Sequence, residues 1–430
     1  MTAGTRVSFY TLGCRLNQAE TAILQRSFEQ KGYRVVDFKK SADVVVVNTC
    51  TVTENGDADT RKVVNKINRL NPEARIALIG CQAQIQRHKL LEMRNVHWVV
   101  GNERKMELDS VLQETADNAS PRVITPVISR KPFTIPLAGI DRKHTRANLK
   151  IQDGCDFFCS FCVIPYARGR ARSREFANII SAAKQLIHAG HREIVLNGIN
   201  VGTYCYEDKT ILDVVKTLEQ LDGLQRLRLS SIEPTTIPWK LIERAKPDSK
   251  LCRHFHIPLQ SGSDEVLQMM NRHYSTAEFS DFIQKVSKHV PGVCLGVDVI
   301  VGFPGEKDTH FEETHNLLQD LPLAYFHVFS YSERPWTKSR KLMDKVSQPV
   351  IEKRSKSLRE LSVQKRRIFM EQHIGSVQMV LFEQKKKEYW NGLTDNYIRV
   401  KVSSDLDLHN RLLPVRLEKF GDQSMTGTLL

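Results

Sequence analysis

The chain has 430 residues, 41% of them hydrophobic, and a formal net charge of +14. This length accommodates two to four domains with hydrophobic cores, and the charge favours a polyanionic partner, most simply nucleic acid, over a merely basic surface. No apolar run is long enough to cross a bilayer and the amino terminus lacks an apolar signal core, so we expect no membrane partner and a cytoplasmic location. The nine cysteines then predict cluster ligands and free thiols, because cytosolic thiols stay reduced.

The first segment, residues 1–125, alternates predicted strands with predicted helices. The strands are apolar and continuous, and they fall at residues 6–11, 43–49 and 75–80. The helical patterns that follow them lie near residues 17–31, 55–70 and 84–93. Buried strands separated by helices are typical of a parallel sheet covered on both faces, so we predict a Rossmann-like parallel α/β domain.

A cysteine follows each of these predicted strands, at Cys14, Cys50 and Cys81. Ligand sites of parallel sheets lie beyond the carboxyl ends of the strands, so we expect the three thiols to converge. Three thiolates suit an iron–sulfur cluster with one open iron, and the alternative is three buried cysteines without a ligand. Gly13 and Gly80, each just before a cysteine, allow the backbone to turn sharply there.

Residues 126–146 are predicted to form a linker, because this part of the chain is rich in proline and basic residues. The next segment, residues 147–374, again alternates strands and helices. Its strand patterns lie at residues 148–152, 193–196, 226–230, 254–258, 294–301 and 325–330. Six βα units predict a partial (β/α)6 barrel of the TIM type, with function on the loops at the carboxyl ends of the strands. The predicted fold class is therefore α/β, with several domains.

The most informative motif is Cys155, Cys159 and Cys162, which follow the first barrel strand in the pattern Cys-x-x-x-Cys-x-x-Cys. Three thiolates at this spacing can hold three corners of a cubane cluster and leave the fourth iron open. A zinc site would need four ligands, usually as two Cys-x-x-Cys pairs. The pattern resembles the signature of radical S-adenosylmethionine enzymes. That resemblance implies that S-adenosylmethionine binds the open iron and is split to a 5′-deoxyadenosyl radical.

Arginines occupy alternate positions just after this cysteine loop, at Arg168, Arg170, Arg172 and Arg174. Four cations beside a reaction centre predict contacts to phosphates or RNA. The alternative is the solvated start of a helix, where charged side chains face water.

Small and polar motifs mark the ends of the later barrel strands. The residues that we expect to bind the cofactor there are Asn197, Gly198, Ser231, Glu233, Gln260, Ser263, Asp298 and Gly302. A carboxylate on a barrel loop can bind ribose hydroxyls or shape the substrate pocket, and glycines let the backbone approach an adenine closely. Each motif alone is weak, but their order at successive strand ends predicts one ligand site.

The last segment, residues 375–430, changes to strands without intervening helices. These strands are predicted at residues 377–382, 396–402 and 412–417, and they indicate a small antiparallel β-barrel of the OB-like kind. The cations and aromatic residues that we expect to bind RNA here are Lys385, Lys386, Lys387, Tyr389, Trp390, Arg399 and Lys401. The alternative is a charged, solvated edge with the aromatic rings in the barrel core.

Over essentially its full length the sequence resembles the methylthiotransferase family. The segments that carry the resemblance are residues 48–53, 80–84 and 154–174, together with a carboxyl-terminal segment similar to the family's RNA-binding TRAM domain. The resemblance implies two 4Fe–4S clusters, held by Cys14, Cys50 and Cys81 and by Cys155, Cys159 and Cys162. It also implies two molecules of S-adenosylmethionine and the insertion of a methylthio group at C2 of a modified adenosine at tRNA position 37.

Residues 230–234 and 331–335 most resemble the family branch that acts on N6-threonylcarbamoyladenosine. The implied partners are a tRNA anticodon stem-loop, a sulfur donor, and an electron donor such as flavodoxin or ferredoxin. The branches acting on N6-isopentenyladenosine in tRNA or on a ribosomal-protein aspartate remain alternatives. Outside the family, a non-catalytic RNA-binding iron–sulfur regulator and a zinc enzyme remain.

Overall fold

The computed structural model describes residues 4–115, 120–136, 138–139, 145–421 and 423–430. The first unit has the strands β1 (Arg6–Thr11), β2 (Arg34–Val36), β3 (Val44–Thr49), β4 (Arg75–Gly80), β5 (Val96–Val100) and β6 (Arg122–Ile124). Its helices are α1 (Arg15–Gln30), α2 (Glu54–Leu70), α3 (Cys81–Leu91) and α4 (Leu108–Glu114). The strands form one parallel sheet in the order β2–β1–β3–β4–β5–β6.

Strand β3 explains why this sheet is covered on both faces. Val44 and Val46 pack with residues of α1 and α4, whereas Val45 and Val47 pack with residues of α2 and α3. A strand that is buried on both sides is continuously apolar, which is how the sequence predicted it. The sequence did not predict the short edge strands β2 and β6, or strand β5 between β4 and β6.

The second unit has the strands β7 (Arg146–Lys150), β8 (Gln152–Asp153), β9 (Arg172–Ser173), β10 (Glu193–Asn197), β11 (Cys205–Tyr206), β12 (Lys209–Thr210), β13 (Arg226–Leu229), β14 (His254–His256), β15 (Cys294–Val301) and β16 (Tyr325–Ser330). Its helices are α5 (Ile164–Arg168), α6 (Phe176–His188), α7 (Ile211–Glu219), α8 (Trp239–Ile242), α9 (Asp264–Met269), α10 (Thr276–His289), α11 (Asp308–Asp320) and α12 (Gln348–Glu371).

Six strands of this unit form an arc that follows the order of the chain. Strands β7, β10 and β13 pair in parallel, as do β14, β15 and β16. A parallel bridge between Leu227 and Leu251, and a hydrogen bond of 3.0 Å from the Ile232 amide to the His256 carbonyl, join the two sets. This arrangement confirms the fold class predicted from the sequence.

The third unit is a closed barrel of the strands β17 (Val377–Lys386), β18 (Tyr389–Thr394), β19 (Arg399–Ser403), β20 (Leu412–Gly421) and β21 (Ser424–Leu429). Closure pairs the two strands that would otherwise be edges with each other, so the barrel presents no open sheet edge. The pair β19–β21 runs parallel, unlike its neighbours, so the barrel is not purely antiparallel as the sequence predicted.

The β-barrel packs against the amino ends of the strands in the open arc. Arg226 and Arg228 on β13 donate hydrogen bonds to carbonyl groups at the end of β18 and at the start of the loop between β18 and β19, including a bond of 2.9 Å from Arg228 to Asp395. Tyr397 of this loop stacks on His254 with ring centroids 4.2 Å apart. The β-barrel therefore covers the end of the arc at which its strands begin. Among the described helices, none has the length and apolar character needed to cross a membrane.

Candidate active site

The first group of thiols gathers at the carboxyl edge of the amino-terminal sheet. Cys14 precedes α1 after β1, Cys50 follows β3, and Cys81 begins α3 directly after β4. Because β1, β3 and β4 are adjacent and parallel, these positions meet at one edge. Burial raises the pKa of Cys50 to about 11, and the nearby thiols of Cys81 and Cys14 contribute to this rise. The structure therefore brings these three cysteines together.

Glycine at position 13 is required by this convergence. Gly13 has a φ angle of +87°, a backbone conformation that residues with a side chain rarely adopt. A Cβ atom at this position would lie 2.6 Å from Cβ and 2.8 Å from Sγ of Cys50. The turn after β1 thus leaves just enough room for the thiol of the neighbouring strand.

The second group of thiols lies in the loop between β8 and α5. The amide of Cys162 donates to the carbonyl of Cys159 at 3.0 Å, and the amide of Cys155 donates to Gly169 at 3.1 Å. The side chain of Asn271 fixes the loop from outside, because it donates to the carbonyls of residues 157 and 158. Burial raises the pKa of Cys155 to about 11 and that of Cys162 still further.

Each group of thiols accepts a hydrogen bond from one buried guanidinium. Arg168 donates through Nε to Sγ of Cys81 at 3.2 Å, and Arg272 donates to Sγ of Cys159 at 3.3 Å. An iron–sulfur cluster held by three thiolates is an anion, and hydrogen bonds to the sulfurs adjust its reduction potential. Both donor sets therefore fit 4Fe–4S clusters, because each offers three thiolates and a cation against one of the sulfurs.

Arg168 belongs to a buried ionic network between the first two units. Its guanidinium donates to Glu20 on α1 at 3.0 Å and to Asp153 at 2.9 Å. Lys105 and Lys150 also bind Glu20. Burial alone would raise the pKa of Glu20, but Arg168, Lys105 and Lys150 hold it well below its usual value. Arg168 is fully buried and its N–H groups donate to partners inside the protein, so the expectation that it contacts RNA is wrong.

Arg174 is a second correction to that expectation. It is buried and donates to the side chain of Asn178 and to the carbonyls of Lys150 and Ile135. Burial lowers its pKa to about 10. Such a side chain cannot reach a phosphate without unfolding its surroundings.

The other two arginines of this run differ from each other. Arg172 is largely buried and pairs with Glu103 at 3.0 Å. Arg170 has a side chain that is 46% exposed, pairs with Asp156, and lies over the ring of Phe158 at 4.4 Å from its centroid. Arg170 is thus the residue of this run that remains most accessible to a ligand.

A cleft beside Cys162 is lined by residues of the first two units. From the amino-terminal unit come Val52 and Thr53, just after Cys50. From the second unit come Phe161, Cys162 and the end of β16 with the residues that follow it. Cys162 thus lines the cleft directly, whereas the amino-terminal group of thiols is represented there by the residues that follow Cys50 in the chain.

Four of the eight residues that the sequence assigned to the cofactor lie in or near the cleft, the second group of thiols or the interior of the arc. Gln260 and Asp298 line the cleft. Glu233 pairs with Arg272, the residue that also bonds Cys159, so Glu233 lies beside the second group of thiols. Ser231 is bonded to His256 at 2.8 Å, which links it to the barrel interior.

The remaining residues of this set are packed within the protein. Asn197 is buried and donates to Asn148 at 3.0 Å, and Ser263 is buried. Gly198 lies against the side chain of Gln152. A Cβ at Gly302, where φ is +78°, would lie 2.4 Å from Ile351 of α12, so helix packing requires glycine there.

Asp298, which the sequence assigned to the cofactor, has two histidine neighbours on the arc that the sequence did not single out. His256, Asp298 and His327 lie on the adjacent strands β14, β15 and β16, with their ligand atoms within 4.8 Å of one another. Nε2 of His256 lies 3.1 Å from Asp298. Burial lowers the pKa of His327, so this ring is neutral near pH 7. The group could not be recognised from the sequence as a whole, because its members come together only when β14, β15 and β16 pair.

The β-barrel carries most of its expected RNA-binding residues on its surface. The exposed ones are Lys385, Lys386, Lys387, Tyr389, Arg399 and Lys401. Trp390 is different, since it is 8% exposed and belongs to the hydrophobic core of the barrel. The expectation that Trp390 stacks on a base is therefore wrong, because alternation along β18 turns its ring inward.

Comparisons with known proteins agree with this architecture. Residues 6–101 match the uncharacterized protein family UPF0004, and residues 149–318 match the radical SAM superfamily. The threonylcarbamoyladenosine tRNA methylthiotransferase MtaB of Aquifex aeolicus is 37% identical over 92% of this chain and 96% of its own length. The tRNA-2-methylthio-N(6)-dimethylallyladenosine synthase of Clostridium botulinum, strain Loch Maree, is 32% identical over 97% of this chain and 95% of its own.

Solved structures share the fold at low sequence identity. The radical S-adenosylmethionine methyltransferase TsrM of Kitasatospora setae, solved with cobalamin and a 4Fe–4S cluster, covers 78% of this chain and 77% of its own, with a TM-score of 0.59 and 16% identity. The cobalamin-dependent S-adenosylmethionine radical enzyme OxsB covers 84% of this chain and 56% of its own, with a TM-score of 0.55 and 12% identity.

The matches define an enzyme that transfers a group by radical S-adenosylmethionine chemistry. More particularly, the chain belongs to the radical S-adenosylmethionine methylthiotransferase family. It is a transferase, and its cofactors are S-adenosylmethionine and 4Fe–4S iron–sulfur centres.

Proposed function

We propose that the protein methylthiolates C2 of N6-threonylcarbamoyladenosine at tRNA position 37, with two 4Fe–4S clusters and two molecules of S-adenosylmethionine. The observation that carries the proposal is the cleft that Cys162 lines on one side and that Val52 and Thr53, just after Cys50, line on the other. A target carbon in this space is reachable from a radical generated on one side and from a sulfur held on the other.

The cysteines have distinct roles in this proposal. Cys155, Cys159 and Cys162 hold the cluster that binds S-adenosylmethionine and supplies the radical. Cys14, Cys50 and Cys81 hold the second cluster, which presents the sulfur to be transferred. An aromatic C–H bond has no acidic proton for base chemistry, so the bound cofactors supply the reactive species and the protein supplies position and shelter.

The residues of the chain orient these groups and limit the access of water. Arg168 and Arg272 each fix one cysteine by a hydrogen bond to its sulfur. Gln260 and Asp298 offer polar contacts within a cleft that is otherwise lined largely by apolar side chains such as Ile300. A largely apolar wall suits a flat nucleobase, and the few polar groups fix its orientation.

The choice of N6-threonylcarbamoyladenosine over the isopentenyl nucleoside rests on the relatives and on a depression beside the cleft. Relatives named for threonylcarbamoyladenosine are up to 37% identical, and those named for the dimethylallyl nucleoside 32%. Beside the cleft, Arg61 and Lys89 line a depression that also contains Glu54, and in which Asp57 and Glu333 are paired with Arg334 and Arg340. Arg61 and Lys89 form no ion pair with an acidic residue in the part of the chain that the structure describes. The threonylcarbamoyl group ends in a carboxylate, which such cations bind, whereas an isopentenyl group offers them nothing.

The experiment that tests the proposal is nucleoside mass spectrometry of tRNA from cells without this protein, beside the parent. Loss of 2-methylthio-N6-threonylcarbamoyladenosine, with accumulation of its unthiolated precursor, is the expected result. Loss of the isopentenyl analogue instead would move the substrate to the other tRNA branch. Unchanged tRNA nucleosides would contradict the proposal and direct attention to a protein substrate such as a ribosomal aspartate.

A further inference from the structure

Two large aromatic residues near the cleft adopt a backbone conformation that disfavours them. Trp336 has a φ angle of +66° and Phe158 one of +48°, both in the left-handed region. Bulky residues in this region are outliers, and such outliers concentrate at functional sites. Trp336 is in addition 53% exposed, so burial in the protein does not compensate for its strain.

The rings of these residues are linked through Tyr166 by edge-to-face contacts. Trp336 and Tyr166 have ring centroids 6.0 Å apart, and Tyr166 and Phe158 are also 6.0 Å apart. Arg170 adjoins these rings, since its guanidinium lies 4.4 Å from the centroid of Phe158. We call Phe158, Tyr166, Trp336 and Arg170 the aromatic platform.

The aromatic platform stands at the edge of the cleft. Phe158 lies between Cys155 and Cys159, and Tyr166 lies on α5 directly after the cysteine loop. Trp336 closes the segment that begins with Ser330, Tyr331 and Ser332, all of which line the cleft. A group bound on the platform would therefore be next to the substrate carbon, but outside its pocket.

The charges around the platform indicate what covers it. Lys338 and Lys341 are exposed and follow Trp336 in the chain, and Arg170 is 46% exposed. Cations interleaved with exposed rings suit single-stranded nucleic acid, whose phosphates meet the cations while its bases stack on the rings. The net charge of +14 points to the same class of partner.

We propose that the aromatic platform stacks an unpaired base of the substrate RNA, next to the nucleotide that enters the cleft. Trp336 provides the principal stacking surface, and Arg170 and Lys338 contact the adjoining phosphates. This inference rests on the proposed function, because it takes the substrate to be an RNA loop. Stacking of a neighbour would hold the loop splayed open while the target base lies in the cleft.

The variant Trp336→Gly tests this role without endangering the fold. Glycine adopts a φ angle of +66° freely, so the variant should melt at the same temperature as the parent or higher. Reconstituted protein is titrated anaerobically with an anticodon stem-loop RNA that carries N6-threonylcarbamoyladenosine. Because stacking of one base is worth a substantial part of single-strand affinity, we expect the Kd to rise about 10-fold.

Trp239→Ala is the matched control. Trp239 is 38% exposed but lies on α8 against His289, away from the cleft lining. The RNA affinity of the Trp239→Ala variant should equal that of the parent. The expected pattern is a weakened Trp336→Gly, an unchanged Trp239→Ala, and equal S-adenosylmethionine cleavage without RNA in all three proteins.

Two results would overturn the inference while leaving the proposed function intact. One is a Kd for Trp336→Gly that equals that of the parent, when the parent itself binds and methylthiolates the RNA. The other is an unchanged Kd with slower reduction of the clusters by flavodoxin, which would assign the platform to a protein donor. A parent that neither binds nor modifies any RNA would instead overturn the proposed function, and this inference with it.

Discussion

Arg168 donates a hydrogen bond from Nε to the sulfur of Cys81 at 3.2 Å, across the boundary between the first two units of the chain. Arg168 ends the helix that follows the loop with Cys155, Cys159 and Cys162, whereas Cys81 belongs to the other group of thiols. The same guanidinium binds Glu20 on α1. The position of one cysteine group therefore depends on the loop that carries the other.

We expect Arg168→Lys to alter selectively the cluster that we propose for Cys14, Cys50 and Cys81. Lysine keeps the charge but cannot reproduce the planar set of donors, so the bond to Cys81 is lost or weakened. Loss of a hydrogen bond to a cluster sulfur should lower the reduction potential of that cluster. The measurement is a potentiometric titration followed by electron paramagnetic resonance, in protein whose Cys155, Cys159 and Cys162 are replaced by alanine. An unchanged potential in folded protein would contradict this role for Arg168.

Gly13→Ala should remove the cluster at Cys14, Cys50 and Cys81 and spare the other one. The new Cβ would lie 2.6 Å from Cβ of Cys50, so this thiol must move. Iron content should fall from about eight to about four per chain, with S-adenosylmethionine cleavage retained. Gly190→Ala is the control, because Gly190 has a φ of +96° and a Cβ added there would meet no atom within 4 Å. That variant carries the backbone strain alone and should keep all its iron.

Asp395 should make the contact between the β-barrel and the open arc sensitive to acid. Burial would raise its pKa, but the hydrogen bonds and charge of Arg253 lower it below the usual value. Because the folded pKa is depressed, the stabilisation is present above the unfolded pKa of about 3.9 and is lost as the pH falls through the folded value. Asp395→Asn should cost about 3 kcal/mol at pH 7.

Urea unfolding at pH 7 and at acid pH measures this effect. The stability of Asp395→Asn and of the parent should converge in acid, where the aspartate is protonated as well. Asp59→Asn is the control: its pair with Lys62 is exposed and should contribute less than about 0.5 kcal/mol. Equal stability of the parent and Asp395→Asn at pH 7 would mean that this ion pair does not hold the barrel.

Replacing Arg61 and Lys89 together by glutamine should weaken recognition of the threonylcarbamoyl group. These cations line the depression beside the cleft, so their loss removes the partners proposed for the carboxylate. KM should rise about 10-fold for RNA with N6-threonylcarbamoyladenosine, whereas the inhibition constant of unmodified RNA as a competitor should stay constant. A fall in kcat at constant KM would point to a different role for this depression.

Much of the fold could be predicted because its signals are local. The continuous apolar strands and the cysteines that follow them indicated the parallel sheet and the edge where Cys14, Cys50 and Cys81 meet. The six strands of the arc were recognisable for the same reason. Part of the predicted linker, at residues 137 and 140–144, lies outside the described residues.

Residue partners distant in sequence could not be predicted. Four arginines at alternate positions resemble one charged face, yet Arg168 and Arg174 are buried by contacts with residues up to 151 positions away. The bond from Arg272 to Cys159 spans 113 positions, and the sequence around Arg272 carries no sign of it. Burial of Trp390 depends on closure of the barrel, which a single strand does not reveal.

The most direct test separates the work of the two cysteine groups. The reconstituted parent, a Cys155/Cys159/Cys162→Ala variant and a Cys14/Cys50/Cys81→Ala variant are incubated with S-adenosylmethionine, a reductant and tRNA, and 5′-deoxyadenosine and methylthiolated nucleoside are measured by mass spectrometry. We predict that the first variant forms neither product and that the second forms 5′-deoxyadenosine without methylthiolation. Methylthiolation by the Cys14/Cys50/Cys81→Ala variant would contradict the assignment of a second cluster to these residues.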